Sequence, residues 1–163
     1  MDYAFFDRAK YLGDPDFFNV PQELLISKQY AKDISIKIKN KKELQKIKIT
    51  VSESEETTHF SIVDKWGNAV SNTYTLNTAY GSGIVPTGTG ILMNNEMDDF
   101  SSKPGYPNVY GLIGSEANKI EPKKTPLSSM TPVIVFKEDK PFLVTGSPGG
   151  STIITAVLQE LLN

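Results

Sequence analysis

The stretch Glu55-Glu56-Thr57-Thr58-His59-Phe60 is where the residue types of this chain could do chemistry. It ends an acidic, low-complexity run and opens an apolar, strand-like one. A threonine freed by chain cleavage carries its own α-amino group. The reference pKa of that group, about 7.7–8.0, lets it act as base for the threonine hydroxyl near neutral pH. This chemistry wants an exposed, cleavable loop before the threonine and a buried strand after it, and the stretch supplies both. Paired threonines are also ordinary at a strand start, because β-branched residues favour extended backbone. Other nucleophile schemes fit less well. There is no cysteine, the one histidine is His59, and no G-x-S-x-G elbow is present.

A second feature is Pro148-Gly149-Gly150-Ser151, just before an amphipathic helical pattern. Two glycines there expose consecutive backbone N–H groups at the positive end of the helix dipole, where they could stabilise an oxyanion in acyl transfer. A plain glycine turn from strand to helix explains them equally well. Asn94, Asn95, Glu96, Asp98 and Asp99 form an oxygen-rich cluster, but its spacing is not that of an EF-hand calcium loop. His59 has no second metal-type partner nearby in sequence, so a hydrogen-bonded structural role is expected. The glycine-rich segment 81–90 lacks the third glycine of G-x-G-x-x-G and any following GK[ST], so a tight loop is expected rather than a phosphate cradle.

The elements that must position these residues can be read from periodicity. Tyr11 to Asp16 is a turn punctuated by Gly13 and Pro15, and Pro21 suits the first turn of a helix through residues 22–34. Residues 34–51 alternate apolar and lysine positions, a strand-like period, although eight lysines between Lys28 and Lys48 also suit a solvated linker. From Thr57 the pattern gives two strands joined at Asp64–Asn68, then the glycine-rich loop, then an acidic segment. Residues 101–126, with four prolines and three glycines, form a long irregular loop. A second hairpin turns at Lys137–Lys140. A final helix places Ile153, Ile154, Val157, Leu158 and Leu161 on one face. Strands followed by a helix imply an α+β layered domain.

The 163 residues suffice for one domain with a sizeable core, and 39% hydrophobic with 22% charged content is clear of disordered compositions. A net charge of −2 gives no field favouring nucleic acid or anionic membrane. The absence of cysteine excludes disulfides and thiolate metal sites without fixing a compartment. The N-terminus lacks the basic-then-apolar order of a signal peptide, and the last residues stop inside an apolar helical pattern, so a chain cut at its C-terminus is expected.

Taken together, TTHFSIVDKWGNAVSNTYTLN, ILMNNEMDDFSSKPGYPNVYG, PLSSMTP and TGSPGGS resemble the gamma-glutamyltranspeptidase family, with YLGDPDF and VPQELL similar to the tail of its large subunit. The resemblance covers essentially the whole chain and is densest from Thr57 onward. It implies an N-terminal-nucleophile hydrolase fold, a four-layer αββα sandwich, here incomplete. Residues 1–56 would be the tail of the large subunit and 57–163 the first part of the small catalytic subunit.

The same resemblance assigns roles. Autocleavage between Glu56 and Thr57 would free Thr57 as nucleophile, and Thr75 would hydrogen-bond its hydroxyl. Asn77, Glu96 and Asp99 would hold the α-amino group of a γ-glutamyl substrate, and Ser128 and Ser129 its α-carboxylate. The N–H groups of Gly149 and Gly150 would form the oxyanion hole, and Tyr110 would be a lid tyrosine. Glutathione or another γ-glutamyl amide would be the donor, and water, an amino acid or a peptide the acceptor, with no metal or organic cofactor. Within the same fold, a glutaryl or cephalosporin acylase is the alternative. The family's chain extends beyond both ends of this sequence. The upstream part carries an arginine for the substrate carboxylate and the export signal that places the family in the periplasm or outside the cell. A catalytically inactive fragment, itself oligomeric through an exposed sheet edge, is therefore a further expectation.

Overall fold

A computed structural model describes residues 1–40, 56–109 and 111–163. They form a mixed helix-and-strand structure in two compact units, one from residues 1–40 with 98–127, the other from 56–97 with 128–163.

The first unit begins with α1 (Asp2–Tyr11), a short α2 (Gln22–Leu25) and α3 (Lys28–Lys39). Ser27 caps α3 by accepting from the Tyr30 N–H at 3.1 Å. The expected helix from Pro21 is thus broken into two at Ser27. The strand-like alternation over 34–39 is corrected as well: Ile34 to Lys39 are helical. Ile36 and Ile38 are exposed, so their alternation with lysine reflects no buried sheet face. Lys37 and Lys39 in the last turn favour the helix dipole. The rest of that alternating run, 41–51, and residues 52–55 of the acidic stretch lie outside the described residues. The Tyr30 hydroxyl donates to the Asp7 carboxylate at 3.0 Å, tying α3 to α1.

Residues 98–127 have little regular structure, as their proline and glycine content dictates. One turn of 3-10 helix covers Glu116–Asn118, capped by Ser115, and isolated bridges pair Ser101 with Lys119 and Pro107 with Ile113. Phe100 and Ala117 are the apolar residues buried here. The turn at 12–18 is fastened to this segment by Asp14, whose carboxylate accepts from the Thr125 N–H at 2.8 Å and the Asp16 N–H at 3.0 Å.

The second unit contains two antiparallel hairpins. β1 (Thr58–Val63) pairs with β2 (Ala69–Tyr74), and β3 (Val133–Lys137) with β4 (Lys140–Thr145). The first turn forms because Asp64 accepts from the backbone N–H groups of Trp66 (2.8 Å) and Asn68 (2.9 Å) and from the Asn68 amide (2.7 Å). These bonds, led by that from the Asn68 side chain, hold the Asp64 carboxyl below its ordinary pKa. The hairpins meet where the Ser71 hydroxyl donates to the Thr145 carbonyl at 2.8 Å. After β4 a 3-10 turn, Gly150–Thr152, leads into α4 (Ile153–Leu162). Of the predicted apolar face, Ile153 and Val157 are buried, while Leu158 and Leu161 are exposed. Among the described residues no helix is long and apolar enough to cross a membrane.

Candidate active site

Thr57 lies directly before β1 and is 7% exposed. Thr58 pairs with Tyr74 and His59 with Thr73. Continuing that register by one step sets Thr57 across from Thr75. Because strand side chains alternate, Thr57, His59 and Ser61 share one face of the hairpin with Thr75, Thr73 and Ser71. That face is a polar row. His59 Nδ1 is 2.6 Å from Thr73 Oγ1 and its Nε2 is 3.0 Å from Ser61 Oγ. The histidine is thus hydrogen-bonded at both nitrogens, as expected of a structural residue.

Backbone geometry places the next residues. Thr75 Oγ1 accepts from the Asn77 N–H at 2.9 Å, which fixes the hydroxyl oxygen and leaves its proton to donate. Asn77 is 3% exposed and holds φ at +80°, a left-handed conformation that asparagine tolerates better than other side chains. Its Nδ2 donates to the Asn95 carbonyl at 3.2 Å, and the Asn95 N–H donates to the Leu76 carbonyl at 3.1 Å. The residue after Asn95 is Glu96, which opens a 3-10 turn, Glu96–Asp99. In such a turn side chains three apart eclipse, so Glu96 and Asp99 project from the same side of the element. Glu96 Oε1 is buried and has no hydrogen-bond partner among the described residues.

Gly149 and Gly150 follow β4 and begin the turn into α4, with φ of +125° and +55°. Such angles suit glycine, which has no Cβ to clash there. The Gly149 carbonyl accepts from both the N–H and the hydroxyl of Thr152. This segment is anchored to the Thr57 hairpin through Gly146. A Cβ there would lie 2.2 Å from the His59 ring, so the ring packs directly on the Gly146 backbone. Ser128 is exposed and its Oγ accepts from the Met130 N–H at 3.0 Å. Ser129 is partly buried, and its carbonyl accepts from the Thr131 hydroxyl.

Asp99 belongs to the other unit. It lines a cavity with Arg8, Ser101, Asn108 and Asn118. Burial lowers the Arg8 guanidinium from its ordinary pKa, and the charge of Asp99 opposes that shift. Tyr110 lies outside the described residues; near it in sequence, the Leu112 N–H donates to Asn108 Oδ1 and the Asn108 N–H to the Leu112 carbonyl, both at 2.9 Å. Among the described residues no three His, Asp or Glu side chains gather as a metal site.

The structure thus connects Thr57, Thr75, Asn77 and Glu96 through one register and a short run of hydrogen bonds, with Gly149 and Gly150 three and four residues beyond a contact to the same hairpin. Sequence reasoning missed the parts played by Asn95, Asn118 and Gly146. Nothing in their local pattern distinguishes them from loop residues.

The family model described as gamma-glutamyltranspeptidase matches residues 1–163. The chain belongs to the gamma-glutamyltranspeptidase family. A glutathione hydrolase proenzyme of Escherichia coli is 58% identical over 99% of this chain, and one of Bacillus subtilis 41% identical over 99%. The chain spans 29% of the length of each. A crystal structure of a Helicobacter pylori gamma-glutamyltranspeptidase mutant matches with a TM-score of 0.63 and 64% identity, covering 65% of this chain and 57% of that one. An acivicin-inhibited gamma-glutamyltranspeptidase matches equally well, covering 65% of this chain and 56% of that one; its C-terminus is described as critical in autoprocessing and catalysis.

Proposed function

We propose that this chain carries the nucleophile, the oxyanion hole and most of the γ-glutamyl subsite of a gamma-glutamyltranspeptidase. The observation that carries the reading is Thr57 at the head of β1, set by register across from Thr75, whose hydroxyl oxygen is pinned by the Asn77 N–H. Autocleavage at Glu56-Thr57 gives Thr57 a free α-amino group. That amine takes the proton as Thr57 Oγ1 attacks the γ-carbonyl of glutathione or a related amide. The N–H groups of Gly149 and Gly150 receive the oxyanion. The Thr57 ammonium passes that proton to the nitrogen of the breaking amide, which departs as an amine. Water or the amine of an amino acid or peptide then attacks the γ-glutamyl ester, and its proton returns through the α-amine to Thr57 Oγ1.

Asn77, Glu96 and Asp99 receive the substrate ammonium, and the buried, unpartnered Glu96 Oε1 supports this, since an ammonium supplies the missing donor. Ser128 and Ser129 receive the α-carboxylate and Tyr110 covers the pocket. We assign 1–56 to the large-subunit tail and 57–163 to the start of the small subunit of a four-layer αββα sandwich, in a periplasmic or extracellular protein. These 163 residues by themselves would be inactive, and oligomeric through open sheet edges.

The test compares γ-glutamyl and glutaryl anilides with the full-length protein, alongside denaturing gels of wild type and Thr57→Ala. Two pieces split before Thr57, lost in the variant, with preference for the γ-glutamyl anilide, are expected. Preference for the glutaryl compound would replace the reading by an acylase, and a wild-type chain that stays whole would remove the mechanism.

A further inference from the structure

We infer that Asn118 is a positioning residue that fixes the backbone bearing Asp99, and so governs selectivity for substrates bearing an α-ammonium. The inference rests on the functional reading above.

Asn118 is only 5% exposed, and all four of its polar groups have partners. Its Nδ2 donates to the Asp99 carbonyl at 2.7 Å, and its Oδ1 accepts from the Leu127 N–H at 3.1 Å. Its backbone carbonyl accepts from the Ser101 N–H at 2.8 Å, and its own N–H donates to the Ser115 carbonyl at 3.1 Å. The amide orientation is fixed by these partners, since a carbonyl can only accept and an N–H can only donate. One side chain thus bridges two backbone segments that are 28 residues apart (127 − 99). The first segment ends the turn bearing Glu96 and Asp99. The second is Leu127, whose carbonyl carbon is bonded to Ser128.

The grip on the first segment is double. Asn118 holds the Asp99 carbonyl and the Ser101 N–H, on either side of the buried Phe100, so the backbone from 99 to 101 has little freedom to rotate. No regular strand or helix holds Leu127, and Asn118 Oδ1 is the partner of its N–H. A shift of the Asn118 amide therefore moves the backbone that carries the Asp99 carboxylate. Thr57, Thr75 and the glycine pair are placed by other bonds.

Asn118→Asp preserves shape and the acceptor for Leu127 but faces the Asp99 carbonyl with an oxygen in place of a donor. In the full-length protein, Glu56-Thr57 cleavage should proceed as in wild type. The KM for a γ-glutamyl anilide should rise about tenfold, the scale of one lost buried hydrogen bond, with kcat changed less than about threefold. The loss in kcat/KM should be smaller for a glutaryl anilide, which lacks the ammonium. It should also largely vanish when Asn118→Asp is added to Asp99→Asn. An unchanged KM, or an equal loss with and without the Asp99 carboxylate, overturns the inference. Should the variant fail to accumulate, amide hydrogen exchange on wild type decides. The Leu127 N–H must be as protected as that of Ser101, and fast exchange at Leu127 overturns it. A wild-type protein that turns over no γ-glutamyl anilide defeats the functional reading itself, a result distinct from normal turnover with an unresponsive KM.

Discussion

The hairpin that carries Thr57 and the irregular stretch that carries Asp99 are held by different forces. In the hairpin, six residue pairs fix a register, and extending it by one step gives the positions of Thr57 and Thr75. Among the described residues between 98 and 127 no ladder forms, and side chains supplement scattered backbone bonds: Asp98 Oδ2 accepts from the Val109 N–H at 2.9 Å, Asn108 closes its own turn, and Asn118 joins Asp99 to Leu127. A ladder shares load over many bonds, whereas a side-chain bridge is lost with one substitution. In the proposed mechanism the nucleophile thus stands on the redundant scaffold, and one member of the proposed ammonium-binding set, Asp99, stands on the fragile one.

The sharpest way to break this comparison is at Gly149 and Gly150, where the proposed oxyanion hole depends on backbone outside the ladders. Alanine at either is strained at φ of +125° or +55° and would turn an N–H away from the oxyanion. Loss of about 10²–10³-fold in kcat is expected, the scale of one removed oxyanion donor, with KM nearly unchanged. Steady-state kinetics of the processed full-length enzyme measures it. A kcat within threefold of wild type would show that these N–H groups do not meet the developing charge.

Gly146 tests the hairpin side next. A methyl group there collides with the His59 ring, which two hydrogen bonds hold in place. Gly146→Ala should destabilise by about 1–3 kcal/mol, as overpacking does. Adding His59→Ala should return part of that loss, because the obstructing ring is gone. Thermal unfolding midpoints of the two variants check this. A silent Gly146→Ala would mean that the hairpin yields there, and the contrast with the irregular stretch would weaken.

The hairpins were legible in the sequence because alternation and turn residues are local signals. Asp64-Lys-Trp-Gly-Asn68 announced one turn, and Lys137–Lys140 the other. The alternation at 34–39 misled for the same reason: a period of two is meaningful only if one face is buried, and Ile36 and Ile38 face solvent on a helix capped by Ser27. At the proposed site, the chemistry of their residue types singled out Thr57 and the glycine pair as candidates. The roles of Asn95 and Asn118 were not. Each depends on backbone groups far along the chain, and no local pattern encodes such a partner.

A milder break concerns Asp98. Asp98→Ala removes the acceptor for the Val109 N–H but leaves the Asp98 carbonyl that the Asn108 amide reaches. Amide exchange should quicken at Val109 and Leu112 with almost no change in the unfolding midpoint. A loss spread over the whole protein would show that this stretch is as cooperative as the hairpin.

The smallest effect is expected at Asp14, which joins the turn after α1 to Thr125. Its carboxyl lies below its ordinary pKa, chiefly because it accepts the Thr125 N–H and then that of Asp16, with desolvation opposing. A depressed folded-state pKa contributes stability that is fully present above the unfolded value, about 3.9, and is lost as pH falls through the lower folded one. Exposure limits its size. The protection of the Thr125 amide in wild type should therefore exceed that in Asp14→Asn by a constant amount above about pH 5 and by a shrinking amount as the carboxylate protonates. Hydrogen exchange across this acid range reads the difference directly. A gap that stays constant down to about pH 2 would place the fastening in something other than the ionised carboxylate. A gap that closes on acidification would show one charged side chain holding a loop that, in the hairpin, a ladder would hold at any pH.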